Sequence, residues 1–123
     1  MIPRGRHARR EMQQETAMYL ARFSYDVTPV NRQRAIDFIL REVKAARQAG
    51  LNARLLVPLT RSHSAAALQF ELELAHLDQL DQFRERGVGT SEETGNWMRG
   101  FSEILVSPPL VEILRVEETQ QAA

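Results

Sequence analysis

The chain carries 123 residues, with sixteen Lys and Arg balanced by sixteen Asp and Glu and 43% hydrophobic residues, enough for one domain with a real core and too little for two. Cysteine is absent, so disulfides, thiolate nucleophiles, iron–sulfur clusters and zinc fingers are excluded, and a reducing compartment is the natural setting. No apolar run approaches the roughly 20 residues of a spanning helix, and the basic residues 1–10 lead into polar residues 11–16 instead of a signal-peptide core, so a cytoplasmic protein without membrane contact is expected.

Residues 1–16 hold Pro3, Gly5 and the cations Arg4, Arg6, Arg9 and Arg10 among scattered apolar positions. No periodic face can be buried there, which predicts a disordered N-terminal tail. From Ala17 the chain alternates, with Tyr19, Ala21, Phe23, Tyr25 and Val27 on one side and Met18, Leu20, Arg22, Ser24 and Asp26 on the other. This is a first strand. Thr28 and Pro29 then open a helix over residues 29–49, with Val30, Ile36, Ile39, Leu40, Val43 and Ala46 as its apolar stripe and Gly50 as its stop.

Residues 52–60 alternate again, and Pro58 marks this second strand as a sheet edge because proline cannot donate to a ladder. After a polar loop at 61–64, Ala66, Leu68, Phe70, Leu72 and Leu74 alternate as a third strand. Leu77, Leu80 and Phe83 recur at helical spacing up to Gly87, but no capping residue sits immediately before His76. The Gly87-Val88-Gly89 break is followed by capping-box spacing at Thr90 and Glu93 and by Trp97, Phe101 and Leu105, a second helical piece over 93–106. Pro108 and Pro109 end it, residues 111–116 form a last strand, and 119–123 form a C-terminal tail.

The order β-α-β-β-α-β, with right-handed crossovers, gives an α+β ferredoxin-like fold over residues 17–118: an antiparallel four-stranded sheet with its helices on one face. Residues 1–64 carry twelve cations and five anions, and residues 65–123 four and eleven. A basic first helix beside an acidic second one accounts for that asymmetry, and no nucleic-acid partner is expected. Ala21, Phe23, Tyr25, Leu55, Val57, Leu68, Phe70, Leu72 and Ile113 belong under the helices, with Trp97 and Phe101. The opposite face mixes Met18, Leu20, Leu56, Leu114 and Val116 with Arg22, Ser24, Asp26, Arg54, Gln69, Glu71 and Glu73. Such a surface calls for a cover, and a second copy of the sheet is the simplest one, closing a dimeric α/β barrel around a partly polar interior.

Arg22, Ser24, Asp26, Arg54, Gln69 and Glu71 are the candidate ligand-binding set. Arg22 is expected to meet Glu71 or Gln69 across neighbouring strands. The set reads as an internal salt-bridge network, as a device fixing dimer register, or as a pocket for a small polar or aromatic molecule. His76 is a candidate general base, with Trp97 and Tyr25 as its catalytic companions near an aromatic substrate; each also has a plain structural reading, as a helix-start imidazole or as core aromatics. His63 and His76 lack any spacing that pairs imidazoles, so neither a metal nor a cofactor is expected.

The element order, the helix at residues 77–84 (LDQLDQFR), the helical insertion around Trp97 and the strand at 111–116 (VEILRV) together resemble the dimeric α/β-barrel superfamily, and within it the NIPSNAP-type branch. The resemblance spans residues 18–118. It implies a homodimer with facing sheets but no single activity, since relatives include cofactor-free monooxygenases, haem-degrading enzymes, isomerases and ligand-sensing modules. The oxygenase and haem-degrading relatives typically place Asn on the first strand, Trp on the third and His on the second helix. Here the first strand has no Asn, Trp97 lies beyond the third strand, and only His76 falls near the helical His. The sequence thus reads as a NIPSNAP-like homodimer binding a small molecule within the barrel or, alternatively, as a cofactor-independent monooxygenase or isomerase acting on an aromatic substrate.

Overall fold

Period-two and period-3.6 patterning alternate along the chain, and the computed structural model, which describes residues 18–60 and 67–117, turns them into four strands and three helices. These are β1 (Tyr19–Tyr25), α1 (Arg32–Gln48), β2 (Ala53–Leu56), β3 (Leu68–Leu74), α2 (Asp78–Arg86), α3 (Ser91–Ile104) and β4 (Leu110–Arg115). A 3₁₀ turn at Pro29–Asn31 precedes α1, with Thr28 at its N-cap position. The sheet order is β2-β3-β1-β4, every neighbour antiparallel. The architecture is the expected α+β, with β2 at an edge. The terminal tails at 1–16 and 119–123, the loop at 61–64 and His63 lie outside the described residues.

Helices cover one face. Ala21, Phe23 and Tyr25 of β1 stand in register with Leu72, Phe70 and Leu68 of β3, and all six are buried. Phe70, with no exposed surface, lies between Phe23 at 5.6 Å and Phe83 of α2 at 6.0 Å between ring centroids. Three local devices hold the helices. Thr90 and Glu93 form a complete capping box at the start of α3. The missing cap before α2 is supplied from inside the helix: the Gln79 side-chain oxygen accepts from the Ala75 and His76 backbone N–H groups at 2.7 and 3.1 Å. Gly87 turns the chain between α2 and α3 at φ 70°, where a Cβ would collide with the Thr94 hydroxyl, so only glycine fits.

Several expected core positions are corrected. β2 stops at Leu56, and Val57 and Leu59 are exposed, because Pro58 has no N–H to continue the ladder. Val30 and Leu40 are exposed while Glu42, on the same helix, is buried: the inward stripe runs Ala35, Ile39, Glu42/Val43 and Ala46 at the true helical period. Ile113 is 46% exposed, since β4 is the edge strand farthest from β2 and β3, over which α1 packs. The expected charge match between helices is present without a direct ion pair among the described residues: the Glu93 carboxyl of α3, held low first by its hydrogen bonds with Thr90, is lowered further by Arg41 of α1. The closest electrostatic contact between the two halves of the chain lies on the open face of the sheet, at Glu71.

Replacing Phe70 with Ala should cost about 3–5 kcal/mol of unfolding free energy by urea titration, the usual penalty for emptying a closed aromatic site. A cost under about 1 kcal/mol would mean that the Phe23–Phe70–Phe83 stack is not the centre of the core.

Candidate functional site

Strand register first explains the open face. Arg54, Glu71, Arg22 and Glu112 are successive register partners across β2, β3, β1 and β4, giving a stripe of alternating charge over the whole sheet. Arg22 Nε and Nη2 donate to Glu71 Oε2 at 3.0 and 2.7 Å, and Arg54 donates through Nε at 2.9 Å and through Nη2 to Oε1. Glu71 is 1% exposed, covered by the two arginines rather than by the core. Burial alone would raise its carboxyl, but the hydrogen bonds from Arg22 and Arg54 outweigh it and hold the group below the usual carboxylate value. Beside the stripe, Gln69 Nε2 donates to Ser24 Oγ at 3.2 Å. Five of the six candidate ligand-binding residues therefore stand together, their polar groups engaged with one another. Asp26 lies past the end of β1, where its carbonyl accepts from the Val106 N–H at 2.8 Å.

The helix-covered face holds a cleft. The Gly87 corner keeps α2 and α3 from closing over β1 and β4, leaving about 520 Å3. Its inner wall is aromatic, from Phe23, Tyr25, Phe83, Trp97 and Phe101, and its rim includes Arg84, Met98 and Val111. The Phe101 ring organises the wall, with Tyr25 at 4.7 Å, stacked Phe38 at 5.1 Å and edge-on Trp97 at 5.5 Å. Trp97 is fixed by its Nε1–H, which donates to the Phe38 carbonyl at 2.9 Å. Arg84 lies over the Phe23 ring, 5.5 Å from its centroid.

Sequence reasoning passed over the one acid in this wall. Glu42 projects from the buried stripe of α1, is 7% exposed, lines the cleft, and accepts through Oε1 from the Tyr25 hydroxyl at 3.0 Å. Loss of water pushes its carboxyl up to about 8, against a smaller opposing effect of the Tyr25 hydrogen bond, so it is largely protonated at neutral pH. Burial, reinforced by the neighbouring Glu42, likewise pushes the Tyr25 phenol far above its ordinary value and keeps it a donor. The signal for Glu42 was available: a carboxylate at i+3 from Ile39 and i−4 from Ala46 falls on a core stripe. Of the three candidate catalytic residues, Tyr25 and Trp97 share the cleft, whereas His76 is exposed at the approach to α2 and does not line it.

No protein-family model and no curated protein matches the chain. Solved structures do. A protein provisionally named an antibiotic biosynthesis monooxygenase from Bordetella bronchiseptica superimposes with a TM-score of 0.57 at 18% identity, over 85% of this chain and 99% of that one. A dimeric protein of unknown function and ferredoxin-like fold from Bacteroides fragilis gives 0.52 at 10%, over 80% and 96%. SnoaB, a cofactor-independent oxygenase from Streptomyces nogalater, gives 0.50 at 10%, over 84% and 94%. The fold is ferredoxin-like. At these identities the likeness establishes the fold alone. Among the described residues no helix is long and apolar enough to cross a membrane.

Glu42 sets a pH dependence whose sign follows from its raised value. An unfolded chain releases this proton near 4.5, whereas the folded chain keeps it to about 8, so folding stability falls as pH rises through that window. Glu42→Gln removes the titration. Relative to the native chain it should gain roughly 3–5 kcal/mol between pH 5 and pH 8 in urea unfolding; a difference independent of pH would show that the carboxyl is not held neutral.

Proposed function

We propose that the chain acts as a homodimer that holds a small, planar, largely apolar molecule in the cleft between helices and sheet. The observation that carries this reading is the cleft. Its volume of about 520 Å3 lies within the range of roughly 300–1,000 Å3 usual for small-molecule sites, and its wall combines aromatic faces with one inward carboxyl. The finer assignment is a NIPSNAP-like protein of a cytoplasmic setting, supported by the strand and helix motifs of the sequence and by a cysteine-free chain.

Dimerisation is supported by the open face. Leu20, Leu56 and Leu114 are partly exposed and Leu110 is 62% exposed, flanking the charged stripe on the uncovered side. The stripe Arg54, Glu71, Arg22, Glu112 alternates in sign over an even number of strands, so a two-fold axis that reverses it sets each charge against its opposite in a second copy. On this reading Arg22, Ser24, Arg54, Gln69 and Glu71 fix the register of two sheets rather than grip a ligand.

A second reading, a cofactor-independent monooxygenase or isomerase acting on an aromatic substrate, is favoured by Tyr25 and Trp97 lining one cleft and by the oxygenase names among the structural neighbours. It takes its substrate into the same place. His76 would serve it only by reaching the substrate from outside the cleft wall.

Naphthalene is a suitable probe of the cleft. At saturation it should raise Tm by several degrees, as binding to the folded state alone requires. Met98→Trp, which lays an indole over the rim, should abolish that rise while leaving the ligand-free Tm nearly unchanged. A native chain whose Tm responds to neither naphthalene nor 2-naphthol does not bind ligands of this class.

A further inference from the structure

We propose that Glu42 is the polar anchor of the cleft, hydrogen-bonding through Oε2 to the hydroxyl of a bound phenol-class aromatic molecule. This rests on the cleft being a ligand site and adds what it recognises.

The argument is one of elimination among polar groups. Trp97 Nε1–H is spent on the Phe38 carbonyl at 2.9 Å. Thr94, half-buried, accepts through Oγ1 from the Val88 N–H at 3.1 Å, and the exposed Ser102 hydroxyl donates to the Arg99 carbonyl at 3.0 Å, so neither hydroxyl lies as deep as Glu42. The Tyr25 hydroxyl is directed to Glu42 Oε1 at 3.0 Å. What remains at depth is the second oxygen of Glu42. Among the described residues that side chain has one hydrogen-bond partner, Tyr25, yet no buried side-chain polar atom lacks a partner. Oε2 must therefore be accessible, and the cleft that Glu42 lines is where it opens.

Structure alone gives no reason for a carboxyl here. The Tyr25 hydroxyl would be satisfied by the carbonyl of a glutamine, and an apolar side chain would suit the wall better than an acid. A neutral carboxyl, unlike an apolar side chain, offers a donor and an acceptor, and its hydroxyl is a stronger donor than an amide N–H. A phenol hydroxyl, itself donor and acceptor, is its natural complement. Tyr25, Glu42 and Arg84 are the only titratable or charged side chains lining the cleft among the described residues. Arg84 stands at the rim over Phe23, where its charge opposes the rise of the Tyr25 phenol but forms no hydrogen bond with the buried pair. The aromatic wall takes the ring and Glu42 fixes its orientation.

Fluorescence titration at pH 6, where the Glu42 carboxyl is neutral given its value of about 8, tests this with 2-naphthol and its oxygen-free counterpart naphthalene. Glu42→Leu should weaken 2-naphthol binding about tenfold, the worth of one buried hydrogen bond, and leave naphthalene within about twofold. Glu42→Gln, which keeps a donor and an acceptor, should hold 2-naphthol within about threefold of the native chain. Naphthalene binding certifies the fold of each variant, and Glu42→Met replaces Glu42→Leu should the latter lose it. Unchanged 2-naphthol affinity in the apolar variant overturns the role of Glu42 while sparing the cleft. Failure of both probes to bind the native chain overturns the cleft as a ligand site and this inference with it.

Discussion

A four-stranded sheet with helices on one side only is the constraint from which the rest of this molecule follows. The covered side satisfies the aromatic and aliphatic residues of β1 and β3, and the uncovered side must manage leucines and charges with no further part of the described chain above it. Glu71 shows how it does so. A carboxylate at the middle of an open sheet is tolerable because guanidinium groups from the strands on either side close over it, and the triad ties β2, β3 and β1 together at one level. With Glu112 on β4 the stripe becomes neutral overall and alternating in sign, a pattern suited to meeting its own reversed copy.

The cleft comes from the same one-sided cover. One continuous second helix would lie along the sheet and fill the groove over β1 and β4. The Gly87 corner splits it into α2 and α3, and the space that opens is lined by what β1 and α1 already direct inward, Tyr25 and Glu42 among them. Packing thus produces the site. The same Phe101 ring that stacks on Phe38 to dock α3 against α1 also faces Tyr25, so the wall of the cleft is as rigid as the helix pair behind it.

Alternation made the sheet legible in the sequence: the inward residues of β1 and β3, the edge position of β2, the broken second helix and the pairing of Arg22 with Glu71 all follow from period and turn chemistry. Ends of elements were less legible. Pro58 marks the edge in the sequence, but not that the ladder ends already at Leu56 and leaves Val57 and Leu59 exposed. Glu42 is hard to read from sequence because charge masks position: Leu40 suits an apolar stripe by its chemistry and Glu42 does not, whereas the helix turns Leu40 outward and Glu42 toward the Tyr25 hydroxyl 17 residues earlier. The cleft could not be read at all, since its shape depends on how far α2 and α3 stand from β4, and no local pattern encodes a gap. His76 drew attention as an imidazole near neutrality; its place outside the cleft follows from the approach to α2, which the sequence left without a cap.

Sedimentation equilibrium of the native chain at micromolar concentration tests the proposed homodimer most directly, because that proposal rests on the alternating charges and leucines of the open face. A mass near twice 14.1 kDa is expected, with dissociation promoted by reversing the charge of Arg22. A single species at 14.1 kDa up to about 100 micromolar, below which dimers with interfaces of ordinary size persist, would contradict it.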